Sequence, residues 1–474
     1  MENIERENRL AEKDNMKPLT VFLKTLSKEL GTKIQYDTFT GFCYESDIGK
    51  SVKGDPIAVL FPESSEDVST ILKIANDYHV PITVRGGGTT VGGESVANDS
   101  VLIDTKKLNK CLDIDIHGKF AYFEAGITWI ELYDILKRYD LTFDVAPSSA
   151  TCTVGGAISV GGFDNHSFIK GSSADQIKEL EVVLPDGKIV VCNSEKNNII
   201  FSNILYGHGQ IGIITKIKIK ISSHPGKSYE SWFAYPDRKS AMEDYFKFCE
   251  NGFGDGVDGI IYNELLNVPI VRLEKFEEPV DAGKVKGKLL TTFIDENYYI
   301  NHAKNVYASR VRIRSFPFLL RYSPVSTVFI DIVYPDKKYM YDMFEYSDKI
   351  WKNVKKQGLK TLSKQILILA HRVTEDSKTR PFSPFPSEIK KGDLIFGTYF
   401  GAELLSKDYL KYHQTFNHEM IKKTIEVGGM LYKYGGYVRQ FAEKMFPEER
   451  WAYLLDMKEK YDPNNILNRG VLFE

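Results

Sequence analysis

The sequence predicts an α+β protein of two or three domains. Three observations carry that reading. A chain of 474 residues exceeds what a single hydrophobic core usually organises. From Ala58 onward, short apolar strands alternate with amphipathic helices. Glycine-rich stretches punctuate the chain up to Pro225 and Gly226, and then stop until about Met420.

The elements follow from local signals. Leu19 to Leu30 has the spacing of a helix, and Ala58–Phe61 is a short strand that Pro62 ends. Ser64-Ser65-Glu66-Asp67 is a helix cap with acids in the first turn, ahead of Val68, Ile71, Leu72 and Ala75 at helical period. Pro81–Arg85 is a strand that runs into a glycine loop. Val101–Asp104 is another strand, and Trp129–Tyr139 an amphipathic helix. Glu179–Leu184 and Lys188–Cys192 flank Pro185-Asp186-Gly187 and predict a hairpin. Ile213–Ile221 alternates Ile with Thr and Lys, as a half-buried strand does. The expected domains are 1–225 (core from about 52), 226–420, and a segment 421–474 that returns to the first domain. That segment holds a charged helix and the turn Tyr461-Asp462-Pro463-Asn464-Asn465. No internal repeat is present.

Composition bounds the function. Hydrophobic residues make up 42% and charged residues 27%, with a formal net charge of -2, which disfavours a nucleic-acid partner. The charged N-terminus MENIERENRLAEKDN lacks the apolar core of a secretory signal, and no apolar run reaches transmembrane length. Cys43, Cys111, Cys152, Cys192 and Cys249 are odd in number and widely spaced, which fits a reduced, cytoplasmic protein better than a disulfide framework or zinc site. Twenty-seven Tyr and twenty-eight Phe supply core, and candidates to line a pocket for a flat ligand.

The first glycine constellation, Arg85, Gly86, Gly87, Gly88, Thr89, Thr90 and Val91, continues to Gly92 and Gly93. Without Cβ atoms its amides can converge on a pyrophosphate, and threonine hydroxyls add donors. It is no Rossmann fingerprint, because Glu94–Asp99 leads to a strand and not a helix. The second holds Thr153, Val154, Gly155, Gly156, Ser159, Gly161 and Gly162. The third, Tyr206–Thr215, brings Gly212, Ile213 and Ile214 into a strand. Glycine costs backbone entropy, so three such loops in one domain need a reason. One long ligand threaded between them is such a reason, and FAD has that shape.

The order and wording of these segments resemble the FAD-binding domain shared by vanillyl-alcohol oxidase, cresol methylhydroxylase and cytokinin dehydrogenase. The likeness covers about Ala58 to Pro225 and the C-terminal stretch Tyr461–Gly470, with Asn465 and Asn468. Gly126–Ile177 looks closest to cytokinin dehydrogenases, and Gly207–Thr215 resembles their GLGQFGIIT segment. The resemblance implies a PCMH-type FAD-binding domain of two subdomains. It also implies a substrate domain with an antiparallel sheet flanked by helices.

Three departures bear on mechanism. The histidine that bonds the flavin in cytokinin dehydrogenases is matched by Thr89, which implies non-covalent FAD and a less oxidising cofactor. Berberine-bridge-type enzymes use a cysteine near the second loop, but direct alignment puts it on Thr151. The one-residue offset turns Cys152 away in an extended segment. The family's aspartate base is matched by Ser148, which argues against cytokinin as substrate.

Candidates for proton transfer are Tyr432 and Tyr434, which cluster with Tyr437 where relatives return from the substrate domain. A tyrosine beside Lys433 is a candidate for a lowered pKa. His371 closes the apolar strand Gln365–Ala370. His166 is a candidate contact to the ring or ribityl chain, and His208 replaces an apolar residue of the third loop. Ser309–Tyr322 mixes Arg with Phe and Leu around Pro317 and reads as a partly exposed loop. No metal motif is present: His413 and His418 have the wrong spacing for one helical face.

The expected function is therefore a FAD-dependent dehydrogenase or oxidase of a small alcohol or amine, passing electrons to oxygen or another acceptor. The alternatives are a C=C reductase of the sterol-side-chain type and a flavin-binding protein without turnover. The sequence does not name the substrate or the oligomeric state.

Overall fold

The computed structural model describes residues 17–147, 149–263, 268–295, 325–375, 377, 380–386, 388–435 and 439–473. Ser148, Tyr437 and Ser309–Tyr322 lie outside the described residues.

Among the described residues three sheets of four or more strands organise the fold. The first is built from β1 (Ile34–Gln35), β2 (Val59–Leu60), β3 (Ile82–Arg85) and β4 (Val101–Asp104), in the order β1-β2-β4-β3. β4 runs parallel to β2 and β3 and is buried along its length, as an apolar strand covered on both faces should be. The helix Ser65–Asp77 covers it. Ser64 caps that helix by accepting from the Asp67 amide at 3.1 Å, and Val68, Ile71, Leu72 and Ala75 are fully buried. Lys17–Leu30 packs on the same core through Phe22 and Leu26.

The second sheet is antiparallel: β5 (Cys111–Asp115), β6 (Phe120–Glu124), β8 (Ile177–Val183), β9 (Ile189–Cys192) and β10 (Ile213–Lys220), in the order β5-β6-β10-β8-β9. β8 and β9 form the expected hairpin; Gly187 takes φ +83 in its turn. In β10, Ile217 and Ile219 are fully buried and alternate with Lys216, Lys218 and Lys220. A capping box between Thr128 and Glu131 starts the helix Trp129–Leu136, which packs into the core through Trp129, Leu132 and Tyr133. A small ribbon pairs β7 (Leu141–Thr142) with β11 (Ser222–Ser223).

The third sheet has eight antiparallel strands: β12 (Ser228–Ala234), β13 (Gly256–Asn263), β14 (Ile270–Phe276), β15 (Lys288–Asp295), β16 (Val325–Tyr334), β17 (Thr361–Arg372), β18 (Leu394–Leu405) and β19 (Met430–Leu431). The chain is thus α+β, with antiparallel sheets in both halves. Phe396 and Phe400 of β18 pack on Phe246 and Phe344 of the helices Arg238–Asn251 and Tyr339–Lys356, so helices cover one face of the third sheet. β19 keeps the chain in this sheet to Leu431, beyond the expected boundary near residue 420.

One expectation about histidines is corrected. A π-helical turn at His413–Asn417 places residues five apart on one face, and the rings of His413 and His418 approach to 4.6 Å. No group of three or more metal-ligating side chains forms among the described residues. Nor is any described helix long and apolar enough to cross a membrane.

Candidate functional site

A cleft of about 1250 Å³ opens where the first two sheets meet the start of the C-terminal segment. One wall is the first glycine constellation: Gly86, Gly87, Gly88, Thr89 and Thr90 all line it. Among the described residues, no acceptor takes the amides of Gly87, Gly88, Thr89 or Thr90. Amides left without partners beside a cavity are a cradle for an anion. A Cβ on Gly87 would stand 2.7 Å from the Thr151 carbonyl oxygen, and Gly88 adopts φ +63, so side chains are excluded at both.

Buried acids and Arg85 set the shape of this loop. Asp47 is fully buried and accepts from the Thr90 hydroxyl and the Gly93 amide at 2.9 Å each. Burial pushes its pKa up to about 6. Glu94 lines the cleft and accepts from the Gly92 amide at 2.9 Å; burial and neighbouring Asp47 push it up to about 7. Arg85 does not line the cleft. It is buried behind the loop, donating to the carbonyls of Ser46 at 3.0 Å and Ser95 at 3.3 Å. Val91 is likewise buried behind the wall.

The second constellation is a short helix, Val154–Ile158, and not an open loop. Thr153 caps it by accepting from the Gly156 amide at 3.2 Å. Thr153, Gly155, Gly156, Ser159 and Gly162 line the cleft. Val154 faces the core, fully buried, and Gly161 is pressed against the Tyr206 ring at φ +102. From the third stretch, Gly212, Ile213 and Ile214 complete this side.

The C-terminal stretch closes the cleft. Asn468 Oδ1 accepts from the Val84 amide at 2.8 Å, while Nδ2 donates to the carbonyls of His208 at 3.2 Å and Gly209 at 3.1 Å. One side chain therefore staples the first glycine strand to the third glycine turn. Lys458 Nζ, buried, donates to Gln210 O at 3.0 Å, Leu467 O at 2.9 Å and Asp462 Oδ2 at 2.7 Å. Asn465 sits in the turn behind, at φ +46, and does not reach the cleft.

Residues 56–193 match the family model described as an FAD binding domain. The chain carries an FAD binding domain of the PCMH type. Its cofactor is FAD, and the cradle of free amides fits that group's pyrophosphate. Cytokinin dehydrogenase 3 of Arabidopsis thaliana is 30% identical over 220 residues, 45% of this chain and 41% of that protein. D-lactate dehydrogenase of Archaeoglobus fulgidus is 34% identical over 169 residues, 34% of this chain and 38% of that protein. The chain thus spans about two fifths of the length of these relatives. Cytokinin dehydrogenase 9 of Oryza sativa subsp. japonica is 24% identical over 464 residues, 90% of this chain and 87% of that protein.

A second, smaller cavity of about 380 Å³ adjoins the FAD cleft, and Tyr432 lines both. Its floor is the third sheet. Residues directly opposite in an antiparallel sheet share a face. Asp331 is opposite Tyr399, Val333 opposite Gly397, Leu369 opposite Gly397, and His371 opposite Ile395. Gly397 has no side chain, which leaves a hollow flanked by Val333 and Leu369. Phe163 lies over it, with ring centroids 4.9 Å from His371 and 4.6 Å from Tyr432. Phe385 stacks on His371 at 4.7 Å.

The candidate residues fall into different places. Tyr432 accepts from the Gly162 amide at 2.8 Å, and burial drives its pKa well above the ordinary tyrosine value. The expected lowering beside Lys433 is therefore overturned by desolvation. Tyr434 is fully buried between His208, at 4.8 Å, and Phe446, and lines neither cavity. His371 lines the second cavity; burial holds it neutral, with a pKa of about 3. Its Nε2 lies 3.4 Å from Ser377 Oγ, which donates to Asp175 Oδ2 at 3.0 Å. His208 lines the FAD cleft and is likewise lowered to about 3 by burial and by Lys433.

His166 does not reach the cleft. It is buried between Asp164 Oδ2 at 3.3 Å and Glu274 Oε2 at 3.1 Å, where the two carboxylates overcome the cost of burial and raise its pKa to about 10. It joins the FAD-binding half to β14. Cys152 is also placed otherwise than expected. It lines the cleft, donates from Sγ to Ser149 O at 2.8 Å, and is pushed up to about 12 by burial. The turn at Ser149–Cys152 breaks the extended geometry on which the offset argument relied.

Proposed function

We propose that the protein is an FAD-dependent oxidoreductase that removes a hydride from a small organic alcohol or amine, with FAD bound non-covalently. The observation that carries this reading is the shared wall. Tyr432 lines both the glycine-walled cleft and a small hollow over the third sheet. A substrate that entered the cleft beside Tyr432 would therefore abut the cofactor.

FAD, when bound, would accept the hydride of the substrate C–H bond and with it both electrons. The chain's own residues do the rest. The amides of Gly87–Thr90 hold the pyrophosphate, and the Asn468 staple keeps the two sides of the cleft together. Phe163, Phe385, Val333 and Leu369 give the side of the cleft at Tyr432 an apolar backing that excludes water. Thr89 lines the cleft where the family's histidyl link would form, and Cys152 is held as the neutral thiol, so neither offers a bond to the flavin.

The relatives' names include cytokinin and D-lactate. Ser148 in place of the family's aspartate speaks against the first. A 2-hydroxy acid would bring a carboxylate up to a lining that, among the described residues, includes Asp331 and no Lys or Arg. The test is direct. Protein purified and reconstituted with FAD should show flavin absorbance, release all its colour into the supernatant on acid precipitation, and bleach anaerobically with an alcohol or amine donor. Failure to bind FAD would refute the proposal.

A further inference from the structure

We infer that FAD enters the cleft together with a proton, taken from solvent by Glu94, and that the chain releases its cofactor as pH rises. The coupling rests on the cleft being the FAD site and is independent of the substrate.

The geometry sets an acid against an anion. The amides of Gly87–Thr90 form the cradle for the pyrophosphate, and Glu94 lines the same cleft a few residues further along the same loop. The pyrophosphate of FAD is a dianion. An ionised Glu94 would oppose it in a site from which the ligand expels water, where like charges repel most strongly. Protonated, the same side chain offers an O–H donor in place of a bare lone pair.

Two carboxyl groups support this loop, and they differ in what they receive. Asp47 accepts from the Thr90 hydroxyl and the Gly93 amide at 2.9 Å each, and from the Lys50 amide at 3.1 Å. Arg85, behind the loop, adds an attractive charge. Among the described residues, the hydrogen bond that Glu94 accepts comes from the Gly92 amide, at 2.9 Å. Donors favour the charged carboxylate. Asp47 therefore keeps its charge, and Glu94 is the member that takes the proton.

The remaining charges around Glu94 do not reverse this. Lys433 is the one Lys or Arg among the described residues that line the cleft. Its segment packs on the loop, where Gly435 leaves no room for a Cβ against Gly92. The Lys433 charge favours an ionised Glu94, but its Nζ lies 3.8 Å from Asp331 Oδ2, a second carboxylate that shares it. Burial and Asp47 outweigh Lys433 and push Glu94 up to about 7. Cys152, pushed up to about 12, and His208, lowered to about 3, also line the cleft, and both stay neutral around pH 7.

A dianion beside Glu94 raises its pKa further, so the linkage has one sign. Below about pH 7 Glu94 holds its proton with or without FAD, and affinity is level. Above that value the free protein must first gain a proton, and affinity falls by about tenfold per pH unit until the higher pKa of the bound state is passed. One proton moves from solvent to a Glu94 oxygen for each FAD bound, and returns when FAD leaves.

The test titrates FAD into the apoproteins of wild type and Glu94→Gln between about pH 6 and about pH 9, with Kd read by fluorescence quenching. Calorimetry in two buffers of different ionisation enthalpy counts the protons. Wild type should take up about one proton per FAD near pH 8 and lose about tenfold or more in affinity across the range. Glu94→Gln, a permanently neutral isostere, should take up none, keep a level Kd, and bind FAD more tightly than wild type at the alkaline end. The wild-type proton count needs no variant. Infrared spectra of the holoenzyme need no apoprotein: the C=O stretch of a protonated carboxyl should appear in wild type at neutral pH and be lost in Glu94→Gln. A wild-type Kd that does not move with pH, proton uptake that survives in Glu94→Gln, or an infrared band unchanged by that substitution overturns the inference. Protein that takes no FAD at any pH fails the FAD reading itself, and the inference falls with it.

Discussion

Replacing Asn468 by alanine removes the staple across the FAD cleft. Three hydrogen bonds are lost: Val84 N to Oδ1, and Nδ2 to the carbonyls of His208 and Gly209. At about 1 kcal/mol net each, that is ~3 kcal/mol, and a Val84 amide left without its partner adds about 1–2 kcal/mol. If the loss falls on closure of the cleft, FAD affinity drops by about three to three and a half orders of magnitude, at about 1.4 kcal/mol per decade. Quenching of FAD fluorescence on titration into the apoprotein gives the Kd, and circular dichroism checks that the variant is folded. Asn468→Asp sharpens the test. It keeps the acceptor for Val84 but sets a carboxylate against two carbonyl oxygens, so it should bind FAD no better than the alanine variant. A Kd within threefold of wild type in Asn468→Ala, or strong binding by Asn468→Asp, would show that the staple does not hold the cleft.

Other outcomes follow from the same geometry. Gly87→Ala puts a methyl against the Thr151 carbonyl and should fold but fail to load FAD, seen as loss of flavin absorbance at saturating cofactor. His166→Gln leaves Asp164 and Glu274 as buried carboxylates without their cation and should cost about 3–5 kcal/mol in chemical denaturation at pH 7. Because the folded pKa of His166 is raised to about 10, its stabilisation is full below the unfolded value near 6.5 and fades as pH rises through 10, so the deficit of the variant should shrink in alkaline buffer. Cys152→Ser should leave FAD loading within about twofold, as expected of a thiol that only packs and donates one weak hydrogen bond, with the flavin still released by acid. Colour retained in the wild-type pellet but not in that variant's would reveal a thioether.

Much of the FAD-binding half is legible in the sequence because its signals are local. Ser64 and Gly187 announce a cap and a hairpin, and the Ile/Lys alternation of β10 announces its buried face. The glycines that line the cleft are legible for the same reason, since a missing side chain is visible in one dimension. What is hidden depends on distant pairing. Asp331 and His371 meet at one cavity only because β16 and β17 flank β18 in a particular register. A single charged residue in the apolar run Val325–Tyr334 was the available signal for Asp331. Arg85 and His166 carry charges that look functional in sequence, yet their partners are carbonyls and carboxylates brought in by folding. The approach of His413 to His418 needs a π turn, which no spacing rule for α-helices anticipates.

The Asn468 contacts also fix an order of events during synthesis. Val84 and Gly209 are made early, but the residue that ties them together follows the whole eight-stranded sheet. The ribosome must deliver that sheet before the seam can close. Nascent chains with only the glycine segments would have an open, unfastened groove. Cofactor capture is thereby deferred to a stage when the neighbouring sheet is already available, and a truncated translation product gains little protection from flavin.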